Sequence, residues 1–280
     1  MWSDHEVAVR LEMTEARAHL DMINSAPVDT RDEDGFESKL FASAVAIRAR
    51  SVTKSLNFNR VIGIGILETA TADQLDEIAA YYGEIGVAFG IELSPASQPE
   101  ELSEWLRARR WRRSFFSAML YRSTELPRLS HESWAKSTGL RVERVGPEYG
   151  EALGRISIEN FGMPASVGRL IAALTEAPAW RAWLAFDGDE VVGGSLSYVN
   201  EDECWLGWTS VLPSHRGRWV HAGILSRQIE DAKASGCCWV SCETASGTKK
   251  SPNPEHFVLT KFGFREAYMR PTYMARAGGG

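Results

Sequence analysis

The chain has little cysteine, no excess of positive charge and no long apolar run, and each shortage excludes a class of protein. Its 280 residues include four cysteines, Cys204, Cys237, Cys238 and Cys242, without the paired spacing and the further ligands that a structural zinc site needs. We therefore predict buried free thiols and no metal centre. No apolar stretch is long enough to cross a bilayer, so we expect no membrane contact.

Positive charge is also scarce, because 37 acidic residues stand against 31 basic ones and the net charge is −6. A nucleic-acid binder needs a basic face for phosphates, so we predict no nucleic-acid partner. The one basic run outside the loop discussed below, 107–113, is typical of a helix C-terminus. The first six residues are acidic and start a helix, unlike a signal sequence, and the protein is expected to be cytoplasmic.

A glycine-rich dinucleotide loop is missing as well. The Gly-Ile-Gly segment at 63–65 lies within a predicted strand, 60–67, lacks a third glycine and precedes Glu68 and Asp73, which would repel a phosphate. We interpret this segment as a strand that passes close to another backbone, which glycine permits. A Rossmann oxidoreductase is thereby excluded.

What the chain does contain is a coarse repeat of strands and helices. After a helix at 3–23 and a strand at 41–52, we predict strand 60–67, helix 71–84, strand 87–93, helix 99–109 and strand 114–121. The same order recurs as strand 205–212, helix 220–235, strand 237–244, helix 254–261 and strand 266–274. Each half is therefore predicted to be a sheet covered by helices, an α/β (α+β) fold.

The same pattern predicts the domain organisation. We place a first domain at 1–126, a polar linker at 127–138, a second domain at 139–276 and a flexible tail at 277–280. Thr71 supports the start of helix 71–84, because a threonine followed three residues later by glutamine forms a capping box.

The most informative stretch is the loop after strand 205–212. Its residues are Pro213-Ser214-His215-Arg216-Gly217-Arg218, and a helix begins near Trp219. The loop thus places two arginines, and His215 if it is protonated, at a helix N-terminus. Free backbone N–H groups and the helix dipole make such a place suitable for an anion such as a pyrophosphate.

This order of elements resembles the CoA-binding half of the GNAT superfamily of N-acyltransferases, and the whole chain resembles the bacterial tandem-GNAT type. The residues that carry the resemblance are Leu212 to Arg218, Gly236-Cys237, Glu243-Thr244, Pro252-Asn253-Pro254, Gly263-Phe264 and Tyr268 to Tyr273. The resemblance implies two tandem GNAT-like domains, each a mixed, mainly antiparallel sheet flanked by helices. The N-terminal copy has two carboxylates and no arginine at 67–73, so it is expected not to bind CoA.

The resemblance also implies acetyl-CoA or another acyl-CoA as cofactor. Amides at 217–221 would hold the pyrophosphate, Arg216 and Arg218 would add charge, and the strand backbone at 210–212 would bind the pantetheine arm. The predicted cofactor-binding residues are Ser210, Val211, Leu212, Arg216, Gly217, Arg218, Trp219, Val220, His221 and Asn253.

The implied reaction is direct attack of a neutral amine on the thioester, with a base to take the proton. Glu243 is the candidate base, because it stands at the C-terminal end of strand 237–244; its alternative role is to cap the next segment. Tyr268 is the candidate acid for the leaving thiolate, and Tyr273 could take the same role.

Several departures from the family pattern leave a second hypothesis open. The family usually has glycine where Trp219 stands, a small residue or glutamine where His221 stands, and often a tyrosine where Leu259 stands. Glu255 and Val258 stand where the tandem group has serine and asparagine. Trp219 would either stack on the nucleotide or fill the site.

The leading hypothesis is a CoA-dependent N-acyltransferase, acetyl-CoA being the first cofactor to consider, that acts on the amine of a small molecule. The alternative is a catalytically inactive GNAT-fold protein, a binding or partner module. A monomer and a homodimer are both compatible with a chain that already carries two copies.

Overall fold

The computed structural model describes residues 2–53, 55–127, 130–245 and 253–275. The chain forms two compact units. The first runs from the N-terminus to Asn24, over Val28–Met119 and from Glu266 onward, and the second comprises Ser25–Pro27 and Leu120–Arg265. The predicted tail, 277–280, and Pro252 of the predicted helix start lie outside the described residues.

Both units contain helices and strands. The helices are α1 (Asp4–Asn24), α2 (Val28–Asp34), α3 (Ala72–Gly83), α4 (Leu102–Ala108), α5 (His131–Thr138), α6 (Gly150–Phe161), α7 (Ala165–Ala173), α8 (Val220–Ala234) and α9 (Pro254–Lys261). The strands are β1 (Glu37–Phe41), β2 (Ala44–Arg48), β3 (Arg60–Ile62), β4 (Phe89–Glu92), β5 (Arg112–Ser123), β6 (Arg141–Val145), β7 (Trp180–Asp187), β8 (Glu190–Asn200), β9 (Glu203–Val211), β10 (Trp239–Ala245) and β11 (Arg265–Ala275). Among the described residues, no helix has the length and apolarity that crossing a membrane requires.

The first unit contains a mixed sheet in the order β1-β2-β3-β4-β11. Strands β3 and β4 run parallel, with Val61 opposite Ile91, whereas β11 is antiparallel to β4, with Thr272 opposite Glu92. Helix α3 buries Leu75 in the core cluster that includes strand residues of this sheet. The parallel pair needs a crossover, and α3 lies in it.

The second unit contains a mixed sheet in the order β10-β9-β8-β7-β6. The pairs from β6 to β9 are antiparallel, and β10 is parallel to β9. Helix α8 lies in the crossover from β9 to β10, and α5 packs against it. Gly223 makes this contact feasible, because a Cβ there would lie 2.2 Å from the ring of Trp134. The predicted α/β class is confirmed, since both sheets are mixed and flanked by helices.

Two predicted strands are wrong in their extent. Strand 60–67 ends at Ile62, and the predicted strand 41–52 is a turn at 42–43 followed by β2. The interpretation of Gly65 as a close approach is confirmed, since a Cβ there would lie 2.3 Å from the carbonyl oxygen of Gln98. The carbonyl of Gly65 accepts a hydrogen bond from the amide of Gln98 at 2.7 Å, so two backbone segments meet at this point.

The compact units divide the chain differently from the predicted domains. The predicted second domain includes 266–275, but these residues belong to the first unit, because β11 pairs with β4. The predicted linker, 127–138, includes helix α5, whose Trp134 is 3% exposed and therefore part of the core of the second unit. Residues 128 and 129 of that linker lie outside the described residues.

The prediction of buried free thiols holds for three cysteines and is wrong for the fourth. Cys204, Cys237 and Cys242 are buried and are not in disulfide bonds, whereas Cys238 is exposed. Burial raises the pKa of Cys237 to about 11 and that of Cys204 well above its ordinary value, so both thiols are protonated at neutral pH.

A buried ion network in the first unit has no counterpart among the sequence predictions. Arg270 on β11 is fully buried and pairs with Glu12, at 3.1 Å, and with Glu15, at 2.8 Å, both on α1. It also contacts Glu92 on β4, which in turn pairs with Arg60 on β3 at 2.8 Å. Three carboxylates and two guanidinium groups are thus removed from water together, and each depends on its partners for compensation.

Candidate functional site

The site of the second unit starts where two parallel strands stop pairing. Strands β9 and β10 pair from Glu203 with Trp239 to Leu206 with Cys242. Both strands continue beyond that pair, β9 to Val211 and β10 to Ala245. Strand β9 is irregular just after the last residue that pairs with β10. Its register with β8 shifts there, and Trp208 has a φ of 58°. A gap between parallel strands next to a helix N-terminus is a common place for a ligand.

The loop after β9 delivers the chain to helix α8. A short 3₁₀ turn, Pro213–His215, follows the strand, and the helix begins at Val220. Gly217 has a φ of 80° with open space where a Cβ would stand, so glycine is needed there for its backbone conformation. The first amides of any α-helix lack an intrahelical partner, and the side chain at the N-cap of α8 does not bond to them.

Trp219 is the N-cap of α8 and adopts the left-handed conformation, with a φ of 61°. This conformation costs a residue with a Cβ roughly 1–2 kcal/mol and costs glycine almost nothing. The backbone carbonyl of Trp219 accepts hydrogen bonds from the indole of Trp134, at 2.9 Å, and from the amide of Gly223, at 3.1 Å. The backbone is therefore fixed in the conformation that glycine would favour, while the residue as a whole is 56% exposed.

The basic side chains of the loop have different partners. Arg216 donates to the side-chain oxygen of Asn160 at 2.6 Å, an uncharged partner. Arg218 and His215 both bond to Asp187, at 2.8 and 3.1 Å. The hydrogen bond from Arg218, followed by that from His215, holds the pKa of Asp187 below its ordinary value. Asp187 thus offsets the charge of Arg218, whereas Arg216 contacts an amide and, among the residues that the structure describes, no carboxylate.

A cavity of about 840 Å³ lies between the loop, the start of α8 and helix α9. Its lining residues come from five segments of the second unit: Asn160, Thr209, Val211, His215, Arg216, Gly217, Trp219, Val220, His221, Ala222, Asn253, Pro254, Glu255, Phe257 and Val258. The uncapped end of α8 therefore faces a space large enough for part of a cofactor. Of the two loop arginines, Arg216 is among the lining residues and Arg218 is not.

His221 and Glu255 contribute titratable groups to the cavity from opposite helices. Burial lowers the pKa of His221, and the charge of Glu255 opposes that shift, so the imidazole is neutral at pH 7. Glu255 accepts a hydrogen bond from Thr244 at 2.8 Å. Asn253 caps α9 by accepting from the Glu255 amide at 2.9 Å and donates to Thr244 at 2.8 Å. Its side chain is thus used in the structure of α9, which limits it as a ligand for a cofactor.

The predicted arm-binding residues lie at the end of β9. Ser210 and Val211 pair with Gly194 and Gly193 of β8, and the amide of Leu212 donates to Val192 at 3.0 Å. Leu212 therefore has no amide left for a pantetheine arm. The hydroxyl of Ser210 is buried and, among the described residues, has no hydrogen-bond partner.

Thr209 lines the cavity and was missed by the sequence analysis. Its hydroxyl lies 2.9 Å from that of Ser195, which accepts from the buried amide of Gln228 at 2.9 Å. This chain of hydrogen bonds connects the cavity wall to the core of the second unit. Sequence pattern alone could not find it, because the three residues come from different elements.

The two predicted catalytic residues lie outside the set that lines the cavity. Glu243 is half-buried on β10, one residue beyond the last pair with β9. Tyr268 belongs to the first unit, where its hydroxyl donates to Glu12 at 2.7 Å. Burial, followed by the charge of Glu12, raises the pKa of Tyr268 well above its ordinary value, so the phenol keeps its proton. The catalytic roles of both residues stay predictions.

The structure also shows where Leu259 and the site residues that were not predicted lie. Leu259, at the position where the family often has tyrosine, is 2% exposed and packs in the interior of the second unit. Asp187, Asn160 and Phe257 were not predicted as part of the site. Asp187 gave one local signal, a turn between two strands, but nothing in the sequence indicates that its carboxylate reaches the loop.

Solved structures with a similar fold include several tandem or GCN5-related proteins. A GCN5-related N-acetyltransferase from Kribbella flavida is similar over 93% of this chain and 96% of its own, with a TM-score of 0.58 and 13% identity. A tandem GNAT protein from the clavulanic acid biosynthesis pathway is similar over 74% of this chain and 70% of its own, with a TM-score of 0.54 and 14% identity.

A third similar structure is a GCN5-related N-acetyltransferase from Sphaerobacter thermophilus, with a TM-score of 0.55 and 13% identity over 84% of this chain and 80% of its own. No protein-family model and no curated protein matches the chain. At these identities the likeness concerns the fold: the chain has the tandem GNAT fold, and the predicted resemblance is confirmed at that level.

Proposed function

We propose that the protein is a CoA-dependent N-acyltransferase that transfers an acyl group, acetyl being the first to test, to the amine of a small molecule. One observation carries this proposal: the N-terminus of α8, which its N-cap side chain does not cap, opens on a cavity of about 840 Å³ lined by Arg216. Within the described part of the chain, Arg216 bonds to the amide of Asn160 and to no carboxylate. Backbone N–H groups, the helix dipole and a guanidinium together favour a pyrophosphate.

The proposed reaction needs no covalent enzyme intermediate. The amine nitrogen forms a bond to the thioester carbonyl carbon, the carbon–sulfur bond breaks, and the ammonium proton passes to a base while the thiolate leaves and is protonated. The chain contributes position, by holding the cofactor along the end of β9. Glu243 is the proposed base, since it stands just beyond the last pair of β9 and β10.

A titration of acetyl-CoA into the purified protein, followed by calorimetry, tests the proposal. We expect a dissociation constant in the micromolar range or below, with CoA itself as the control that shows the contribution of the nucleotide and the arm. Absence of heat at about 1 mM ligand would contradict the proposal, because a site with this many oriented donors should not bind more weakly.

A non-catalytic GNAT-fold protein is the second candidate, and two observations favour it. Asp187 offsets the charge of Arg218, and Glu255 adds a carboxylate to the cavity that an anionic cofactor would enter. Binding of CoA without turnover of any amine would support this candidate. Amine substrates to screen include polyamines and amino acids.

The affinity for CoA should depend on pH through His221. Its pKa is lowered in the free protein, so the imidazole is neutral at pH 7, whereas a bound phosphate would favour the imidazolium and raise the pKa. Binding therefore takes up a proton at pH values between these two pKa values, and affinity rises as the pH falls through that interval. Glu255, Arg216 and His215 share the cavity with His221 and set where the interval lies.

Calorimetric titrations of CoA between about pH 5.5 and 8.5, a range that spans the ordinary titration of histidine, measure this dependence. His221→Gln should flatten the profile, because the amide has no proton to gain. A profile that stays equally steep in His221→Gln would assign the dependence to another group, for which the phosphate itself is the first candidate.

A further inference from the structure

The indole of Trp219 lies at the cavity and has no role in the acyl transfer described above. This large apolar group belongs to a residue that is 56% exposed, at the N-cap of α8 and beside the loop that faces the cavity. Its backbone is in the left-handed region, where a tryptophan is strained and a glycine is not. An exposed, strained residue beside a binding cavity is a reason to look for a function, since folding alone would favour glycine there.

The backbone of Trp219 is held in place by hydrogen bonds. The Trp219 carbonyl accepts two hydrogen bonds, from Trp134 and Gly223, and Trp134 is 3% exposed. The Cα of Trp219 is therefore held to the core of the second unit from one side, and the side chain projects from a fixed point. A rigid aromatic ring that loses little entropy on contact is well suited to stack on a planar ligand.

The exposure of the ring decides between the two roles that the sequence leaves open. A tryptophan that filled the phosphate site would be covered by the loop and by α8, whereas more than half of this one is exposed. The space in front of the helix end remains as a cavity of about 840 Å³. Trp219 thus stands at the edge of the cavity and leaves its interior open.

A second exposed aromatic ring belongs to the same cavity. Phe257 on α9 lines it and is 55% exposed. The amine of Lys261 lies 5.5 Å from the centre of the Phe257 ring. The cavity therefore offers apolar rings at its edge and polar backbone groups at the end of α8, which suits a ligand that has an anionic centre next to a flat apolar group.

We propose that Trp219 stacks on the adenine base of the nucleotide whose phosphates bind at the start of α8. This inference rests on the proposed function, because it assumes that the cofactor is a CoA thioester, and it assigns recognition of the base to a side chain that the family pattern replaces by glycine. Stacking on an aromatic side chain contributes to affinity for any base, so an adenine nucleotide should bind even without the pantetheine arm.

The test compares three ligands and four proteins. The ligands are CoA, adenosine 3′,5′-bisphosphate, which has the base and no arm, and 4′-phosphopantetheine, which has the arm and no base. The proteins are the wild type, Trp219→Phe, Trp219→Leu and Trp219→Gly, and binding is measured by calorimetry. Leucine keeps apolar area without a planar ring, so it separates stacking from general apolar contact.

We expect Trp219→Gly and Trp219→Leu to lose about tenfold in affinity for CoA and for the bisphosphate, with Trp219→Phe within about threefold of the wild type. Affinity for 4′-phosphopantetheine should be the same in all four proteins. The melting temperature of Trp219→Gly should be unchanged or higher, since glycine relieves the backbone strain. A loss of affinity then cannot come from a loss of folding.

Three results would overturn the inference. Tighter binding of CoA to Trp219→Gly would show that the indole blocks the site, and an equal loss for 4′-phosphopantetheine would show a contact with the arm. Unchanged CoA affinity in Trp219→Gly would show that the indole does not stack on the base, and the acyltransferase proposal would still stand. If the wild type binds none of the three ligands, the acyltransferase proposal and the stacking proposal both fail. This result differs from the other three, in which the wild type binds CoA.

Discussion

Replacing Arg216 by glutamate is expected to weaken the binding of acetyl-CoA about a hundredfold and to abolish measurable acyl transfer, with the fold unchanged. The substitution removes a charge-assisted hydrogen bond, worth roughly 1.5–3 kcal/mol, and places a negative charge beside the pyrophosphate. Each 1.4 kcal/mol is about tenfold in affinity, so removal and repulsion together account for the expected loss. Calorimetry measures the affinity, and circular dichroism checks the fold.

Arg218 supplies the matched control. It lies in the same loop two residues later, but it pairs with Asp187 and does not line the cavity. With glutamine at each position in turn, Arg216→Gln should cost about tenfold in CoA affinity, whereas Arg218→Gln should cost less than about threefold. Equal losses in the two variants would contradict the assignment of Arg216 as the phosphate-binding arginine.

The comparison also separates charge from position. High salt should reduce the difference between the wild type and Arg216→Glu, because ions screen the interaction of an exposed guanidinium with phosphate. A loss in Arg216→Glu that does not change between about 0.05 and 0.5 M salt would indicate a changed loop conformation instead. Asn160, the partner of Arg216, is the first residue to examine in that case.

The loop could be predicted from the sequence because all of its information is local. The order of strand, Pro213, Arg216 and Gly217 specifies a turn, a positive φ and a helix start within ten residues, and the structure has them in that order. Trp219, two residues after Gly217, also adopts the left-handed conformation that glycine favours.

The charge state of the same loop could not be predicted, because it depends on a residue far away in the chain. Asp187 precedes Arg218 by 31 residues and reaches it through the pairing of β7, β8 and β9. In the sequence Asp187 is one of many acidic residues at a turn. The side-chain contacts are therefore needed to show that Arg218 bonds to a carboxylate and Arg216 to an amide.

The final strand is a further case in which local pattern and tertiary structure differ. The repeated order of elements correctly predicts a strand at 266–274, and β11 covers it. Its partner strand, β4, is more than 170 residues earlier, in the first unit, and periodicity carries no information about partners. Arg270 lies on this strand, and the reason for a buried arginine there appears once α1 and β4 are in contact with it.

Replacing Arg270 by methionine is therefore expected to destabilise the first unit by about 3–5 kcal/mol. Arg270 is fully buried and is in contact with Glu12, Glu15 and Glu92, of which the first two are also fully buried. Methionine has a similar volume but no charge, so three carboxylates would remain in the interior with Arg60 as the remaining guanidinium of the network. Denaturant unfolding, with the midpoint and slope both fitted, measures the loss.

Arg144→Met is the control for losing an arginine from an ion pair. Arg144 pairs with Asp231 at 3.4 Å, and its side chain is 50% exposed. Water compensates both charges when such a pair is lost, so the expected cost is below about 1 kcal/mol. If both substitutions cost the same small amount, the network does not compensate its charges in the way that its contacts indicate.

A second substitution in the network shows whether the loss comes from uncompensated charge. Glu15 bonds to Arg270 at 2.8 and 3.0 Å, and glutamine at this position keeps its shape while removing its charge. Glu15→Gln alone should destabilise the protein, but in the Arg270→Met background it should recover part of the lost stability, because one fewer charge is left buried without a partner. Additive losses in the double variant would mean that Arg270 acts through packing. A partial recovery would show instead that α1, β4 and β11 are held together by a balance of charge that no single segment of the sequence contains.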